Sequence, residues 1–226
     1  MRRGLVLLVV CLVFVYGQTS HAADENKGLF VKYVPPKTGK PGARVGGGSR
    51  GAGAGGVRLV ALVPDHTGFT SKPQPALCWH ASKPLAAHVE ITLNDDRSVA
   101  PLLEKQIAVP EKNGIQCVHL RDYGLMLKPG VEYQWFVAVV PDPVQRSKDI
   151  VSGGIISYAG PSKDLDNRVI SSTGLETAAA YAEAGFWYDA VGILAEMHQA
   201  RPDDNSLTEQ MNSLLKQVGL SEVDGR

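Results

Sequence analysis

The stretch LMLKPGVEYQWFV, residues 125–137, decides the fold of the central part of the chain. Its Lys128-Pro129-Gly130 segment is a turn, because proline presets its own φ and glycine allows the positive φ that tight turns need. The run at 131–140 is rich in β-branched and aromatic residues, which favour strands. We therefore interpret this stretch as a turn that leads into a β-strand.

Similar short runs, separated by turn-forming residues, occupy the whole region from Val57 to Tyr158. The predicted strands lie at 58–63, 75–81, 87–93, 102–109, 115–120, 131–140 and 150–157. Seven short strands within about 100 residues are typical of a β-sandwich. The sequence thus predicts a mainly β protein with a seven-stranded sandwich over residues 57–158.

Beyond Ser162 the apolar residues recur with a period near 3.6, which indicates helices. The first and third predicted helices begin with the capping boxes Thr173-x-x-Glu176 and Ser206-x-x-Glu209. The second predicted helix ends before Pro202. We predict a three-helix tail over 172–219. Residues 159–171 are expected to form a linker, with a turn at Asp164-x-Asp166-Asn167.

The first 22 residues have the pattern of a secretory signal peptide: Arg2 and Arg3, an apolar run from Leu5 to Tyr16, and a small-residue exit ending at Ala22. Twelve helical residues rise only about 18 Å, short of the roughly 30 Å core of a bilayer. We expect cleavage, with no stable membrane anchor afterwards and a periplasmic or secreted location. The glycine- and proline-rich residues 23–56 are expected to form a flexible lead-in.

Charge and composition exclude some classes of function. The chain has 23 Lys and Arg and 23 Asp and Glu, and losing Arg2 and Arg3 leaves a net charge of −2. Without a basic block, nucleic acid is not expected as the partner. No H-E-x-x-H motif occurs, and we expect neither an enzyme nor a cofactor.

The string Leu127-x-Pro-Gly-x-x-Tyr133 resembles the turn into the sixth strand of fibronectin type III domains, members of the immunoglobulin-like sandwiches. In that family a tyrosine at this corner bonds its hydroxyl to a nearby backbone group. The resemblance implies structural roles for Tyr133 and Gly130, and for Trp79 as the buried aromatic of the second strand.

The helical segment resembles a single tetratricopeptide repeat, on the spacing of Ala178, Tyr181, Gly185, Trp187, Ala190, Leu194 and Pro202. Such repeats usually need about three copies to bury a core. The lone hairpin must therefore be covered by the third helix, by the sandwich or by another chain.

The order of these parts resembles a bacterial exported family called domain of unknown function 928. Its matching strings are Arg44-x-Gly-Gly-Gly48-Ser-Arg50-Gly51, Leu59-Val-Ala-Leu-Val-Pro64, Pro75-Ala-Leu-Cys-Trp79, Leu127-x-Pro-Gly-x-x-Tyr133-x-Trp135 and Gly185-Phe-Trp-Tyr-Asp-Ala190. The resemblance implies a non-catalytic envelope protein and carries no active site with it.

Two cysteines remain after the predicted leader, and each precedes a histidine by two residues, as Cys78-Trp-His80 and Cys117-Val-His119. On strands, residues i and i+2 share a face, so the four side chains could form a zinc or copper site. In an oxidising compartment the pair could instead form a disulfide. Two unpaired thiols are the third alternative.

The leading hypothesis is a structural or interaction protein that contacts a protein partner, or itself, through the helical hairpin. Aromatic residues are frequent interface anchors, and the candidates are Tyr181, Phe186, Trp187 and Tyr188. Phe186 and Tyr188 are preferred because Tyr181 and Trp187 fall at repeat-core spacings. The alternative is a carbohydrate- or small-ligand-binding module that uses Trp135 and Tyr158 of the sandwich.

Overall fold

The computed structural model describes residues 30–46, 56–95, 97–221 and 223, so the predicted signal peptide lies outside the described residues. These residues form nine strands: β1 Val45–Gly46, β2 Leu59–Ala61, β3 Gly68–Thr70, β4 Ala76–Ala81, β5 His88–Asp95, β6 Leu103–Ile107, β7 Gly114–His119, β8 Glu132–Val140 and β9 Ile150–Tyr158. They also form four helices: α1 Lys163–Ile170, α2 Gly174–Glu183, α3 Trp187–Ala200 and α4 Asn205–Lys216.

The strands make two sheets that enclose an apolar core. One sheet has the order β1-β9-β8-β5-β6, with β3 pairing parallel to β9, and the other has the order β2-β4-β7. The inward side chains of β8 alternate with outward ones, as a sheet with one buried face requires. Tyr133, Trp135 and Val137 are buried between the sheets, whereas Gln134 is exposed.

The predicted count of seven strands is corrected to nine. A strand lies within or overlaps each predicted run, and β1 and β3 are additional. These two have only two and three residues, too few for a period-two pattern to be recognised.

The predicted three-helix tail is corrected to four helices, because α1 occupies the predicted linker. The hydroxyl of Ser162 accepts a hydrogen bond from the Leu165 backbone N–H at 3.2 Å and caps this helix. Asp164 and Asp166 lie in its first turn, where acidic side chains interact favourably with the helix dipole. The acidic residues that we interpreted as a turn are therefore a helix start.

Residues 30–46, which we call the strap, correct the prediction of a flexible lead-in for the described part of 23–56. The backbone N–H groups of Val31 and Tyr33 donate to the side-chain carbonyls of Gln210 and Gln217 on or beside α4, at 3.1 and 2.8 Å. Val31 and Tyr33 are buried. Long-range polar partners fix this segment, and its own composition gives no sign of them.

The helices and the sandwich share one core. Trp187, at the start of α3, is fully buried and donates its indole N–H to the Leu62 carbonyl at 2.8 Å. The neighbouring Tyr188 accepts a hydrogen bond from the Trp135 indole at 2.9 Å and donates one to the Ile155 carbonyl at 3.2 Å. The first turn of α3 is therefore anchored to both sheets.

Candidate functional site

The four hairpin aromatics predicted as partner contacts are buried within the chain. Their exposed fractions are 8% for Tyr181, 9% for Phe186, 0% for Trp187 and 3% for Tyr188. Tyr181 and Phe186 pack edge to face with ring centroids 6.4 Å apart. The interpretation of these side chains as exposed contacts is corrected, because all four are buried in the core that the hairpin shares with the sandwich.

The sandwich aromatics predicted for ligand binding do not form an exposed platform either. Trp135 is fully buried under Tyr188. Tyr158 is half-buried at the end of β9, where its backbone carbonyl accepts a hydrogen bond from Gly130 N–H at 3.0 Å. This placement corrects the idea of Trp135 as a stacking surface for a sugar.

Tyr133, Gly130 and Trp79 lie where structural residues would lie. The Tyr133 hydroxyl accepts a hydrogen bond from the Lys128 backbone N–H at 2.9 Å, which ties the strand to the turn before it. Gly130 has a φ of 70°, a left-handed conformation that favours glycine. Trp79 is buried within the shared core.

Cys78 and Cys117 are directly opposite each other on β4 and β7 and form a disulfide, with Sγ atoms 2.03 Å apart. His80 is opposite Ile115, and His119 is opposite Ala76. The two histidines therefore lie on opposite sides of the cysteine pair, about 13 Å apart along the strands. They do not converge on one point, which is the physical reason against the four-residue metal site that was one of the three alternatives for these cysteines. Within the described residues, no three His, Cys, Asp or Glu side chains are grouped to hold a metal.

A cleft runs between α3 and β7, and we call it the α3–β7 cleft. Its central part is lined by Ala76, Ile115, Gln116, Cys117, His119, Gly192, Ala195, Glu196 and Gln199. A Cβ atom at Gly192 would lie 3.5 Å from the Ala76 Cβ, so small residues let the helix approach the sheet here. The cleft widens to about 420 Å³ beside Lys112, His198 and Pro202.

The model of the family described as Domain of Unknown Function (DUF928) matches residues 45–225. The chain belongs to the DUF928 family. No curated protein and no solved structure matches it. The DUF928 match begins at β1, includes both walls of the cleft and leaves out most of the strap.

The mouth of the cleft in this DUF928 protein carries side chains of both charges. The His119 Nε2 and Glu196 Oε1 atoms face each other across it at 4.0 Å. At the end nearest the β3–β4 turn, Lys72 and Arg121 are more than half exposed. Exposed ion pairs contribute little stability, so these groups remain available to a bound molecule.

A buried carboxylate anchors α3 at this end. Asp189 accepts hydrogen bonds from the Ser71 backbone N–H and hydroxyl, both at 2.8 Å, and the Lys72 ammonium lies 4.0 Å away. Burial raises the pKa of the Asp189 carboxyl, although the hydrogen bonds from Ser71 oppose the shift. Asp189 thus holds the helix wall of the cleft against the turn before β4.

Replacing Asp189 by asparagine tests this anchor through the pH dependence of stability. A carboxyl whose pKa is raised by folding binds more protons in the folded state, so its contribution falls as the pH rises above the unfolded value near 3.9. We expect the free energy of unfolding of the wild type to fall relative to that of Asp189→Asn as the pH rises above about 4. Urea unfolding at several pH values measures it, and a pH-independent difference would contradict the buried-carboxylate description.

The cleft could not be predicted from the sequence, because its walls are far apart along the chain, at 72–121 and 188–202. The small residues Gly192 and Ala195 on α3 are the signal that could have indicated a close helix–sheet contact. Among the described residues, none of the helices combines the length and hydropathy needed to cross a bilayer.

Proposed function

We propose that this DUF928 protein is an exported, non-enzymatic interaction module of the cell envelope that binds its partner in the α3–β7 cleft. The observation that carries the proposal is that the two ends of α3 have different surroundings. The side chains of its first turn are buried in the core, whereas Gly192, Glu196 and Gln199 further along line the cleft, whose central part has a volume of about 80 Å³. In this proposal the hairpin still contributes the partner surface, but through Gly192, Glu196 and Gln199 of α3 and not through its aromatic residues.

The strand order supports a sandwich of the fibronectin type III pattern. In that pattern one sheet contains the first, second and fifth strands, as β2-β4-β7 does here, and the other strands follow as β6-β5-β8-β9. The hairpin of α2 and α3 supports a tetratricopeptide-like unit whose missing neighbour is replaced by the sandwich.

Export is supported by the leader pattern and by the disulfide. Disulfides persist in oxidising compartments such as the periplasm and are rare in the cytosol. The Cys78–Cys117 bond joins neighbouring strands under the cleft. A periplasmic or secreted location is therefore part of the proposal, and the mass of the protein recovered from the periplasm would test cleavage after Ala22.

Filling the cleft is expected to abolish binding without unfolding the protein. Gln199 is exposed and lines both the central and the wide part of the cleft, so Gln199→Trp would occupy that space. Glu209→Trp, at an exposed position of α4, is the matched control. The probes are linear dodecapeptides selected from a random displayed library on the full chain. We expect Gln199→Trp to weaken their binding at least tenfold in fluorescence anisotropy and Glu209→Trp to change it less than twofold.

Two outcomes would contradict the proposed function. The library would enrich no peptide, or the selected peptides would bind Gln199→Trp as tightly as the wild type. Circular dichroism of both variants serves as the folding control.

A further inference from the structure

Strand β7 presents unpaired backbone groups at the edge of its sheet. In an antiparallel pair, residues alternate between those that bond to the partner strand and those that point away from it. Leu120 N–H donates to the Pro75 carbonyl, and the Cys78 carbonyl accepts from Leu62 on the opposite side of β4. By this alternation Gln116 and Val118 bond to β4, while the N–H and C=O groups of Ile115 and Cys117 point away from it.

No hydrogen bond in the described part of the chain reaches those outward groups of Ile115 and Cys117. Both residues also line the α3–β7 cleft, so the unpaired strand edge adjoins it. An exposed strand edge of this kind is a template for another strand.

The edge strand β6 of the other sheet is protected by charged side chains, whereas β7 is not. On β6 the exposed Glu104, Lys105 and Gln106 place charge on the edge, a common device against unwanted pairing. The β7 sequence Gly-Ile-Gln-Cys-Val-His contains no Lys, Arg, Asp or Glu. The difference indicates that β7 is open to a strand and β6 is not.

The charges at one end of the cleft favour an acidic residue in the bound molecule. The Lys72 and Arg121 side chains are 51% and 63% exposed and line that end together with His119, Glu196 and the buried Asp189, so two exposed cations face one exposed carboxylate there. Their nearest carboxylates, on Asp189 and Asp122, lie 4.0 and 3.8 Å away, so neither cation is enclosed in a tight pair.

We propose that the partner is an extended polypeptide segment that adds a strand to β7, with a carboxylate beside Lys72 and Arg121. This inference rests on the proposed function and names the mode of binding at the same cleft. Main-chain hydrogen bonds to Ile115 and Cys117 supply affinity, and alternate side chains contact the small residues of α3. Strand addition in a groove between an edge strand and a helix is a general mode of peptide recognition.

N-methylation of the probe peptides tests the main-chain contacts, because each methyl group removes one backbone donor and leaves the side chain unchanged. For the dodecapeptides selected on the full chain, we expect the loss of affinity on N-methylation to recur at every second position. N-methylation at alternate positions across the bound segment weakens binding about tenfold, and at the positions between them less than twofold. If the effect of N-methylation shows no such period, strand addition is overturned. The proposed function would still stand if Gln199→Trp abolished binding.

Backbone hydrogen exchange gives a second measurement that needs no variant. Saturating probe is expected to slow the exchange of the Ile115 and Cys117 amides at least tenfold. Gln116 and Val118, already bonded to β4, are the internal controls and are expected to change little. Unchanged exchange at Ile115 and Cys117 with probe bound would overturn the proposal.

Charge reversal tests the carboxylate. Arg121→Glu is expected to weaken an acidic probe about tenfold, and exchanging the probe's acidic residue for lysine is expected to restore most of the affinity. Selected peptides that lack a shared acidic position, or that are indifferent to Arg121→Glu, would overturn this part of the proposal.

Discussion

Trp187→Ala is expected to lower the free energy of unfolding by about 3–5 kcal/mol. The side chain is fully buried, and its ring packs edge to face against Tyr33 of the strap with centroids 4.9 Å apart. Its indole N–H donates to the Leu62 carbonyl, so truncation leaves a cavity and an unsatisfied buried acceptor. Urea unfolding followed by circular dichroism measures the loss.

Two controls separate the contributions at this position. Trp187→Phe keeps most of the apolar volume and removes the donor, so we expect a smaller loss of about 1–3 kcal/mol. Ile170→Ala, at a side chain that is 83% exposed, is expected to change stability by less than about 0.5 kcal/mol. A loss below about 1 kcal/mol for Trp187→Ala would mean that the hairpin does not share the core of the sandwich.

Reducing the disulfide is expected to lower the free energy of unfolding by about 4 kcal/mol. Cys78 and Cys117 are separated by 39 residues, and the loop-entropy relation gives this magnitude for a loop of about 40 residues. The measurement is the urea midpoint with and without a thiol reductant. In the double variant Cys78→Ala, Cys117→Ala the reductant is expected to have no effect.

If the wild type unfolds at the same urea concentration with and without reductant, while mass spectrometry shows that the bond has been reduced, the disulfide contributes no stability. That result would contradict the expected loop-entropy contribution.

The seven main strands could be predicted because turn chemistry separates them. Pro129 and Gly130 end one run and start the next, and their effect is local. The strap could not be predicted, since its order depends on Gln210 and Gln217, about 180 residues away. The glycine and proline content of the strap predicts flexibility, because the composition does not show the hydrogen bonds to Gln210 and Gln217.

The candidate site shows the same division between local and long-range information. The repeat-like spacing of the hairpin identified Tyr181 and Trp187 as internal residues, and both are buried. It left Phe186 and Tyr188 outside, because the spacing refers to an array of repeats, whereas here the sandwich covers that face. The α3–β7 cleft depends on how the helix docks on the sheet, which no local pattern describes.

The central claim is that the strap, the sandwich and the hairpin fold as one unit around a shared core, which leaves the cleft as the partner surface. The most direct test is the urea unfolding of the wild type, recorded simultaneously by tryptophan fluorescence and by helical circular dichroism. Fluorescence reports on Trp79, Trp135 and Trp187, all buried in the shared core, and circular dichroism reports on the helices. We predict coincident transitions with a single midpoint. Helical signal that is lost at a lower urea concentration than the tryptophan signal would contradict the account.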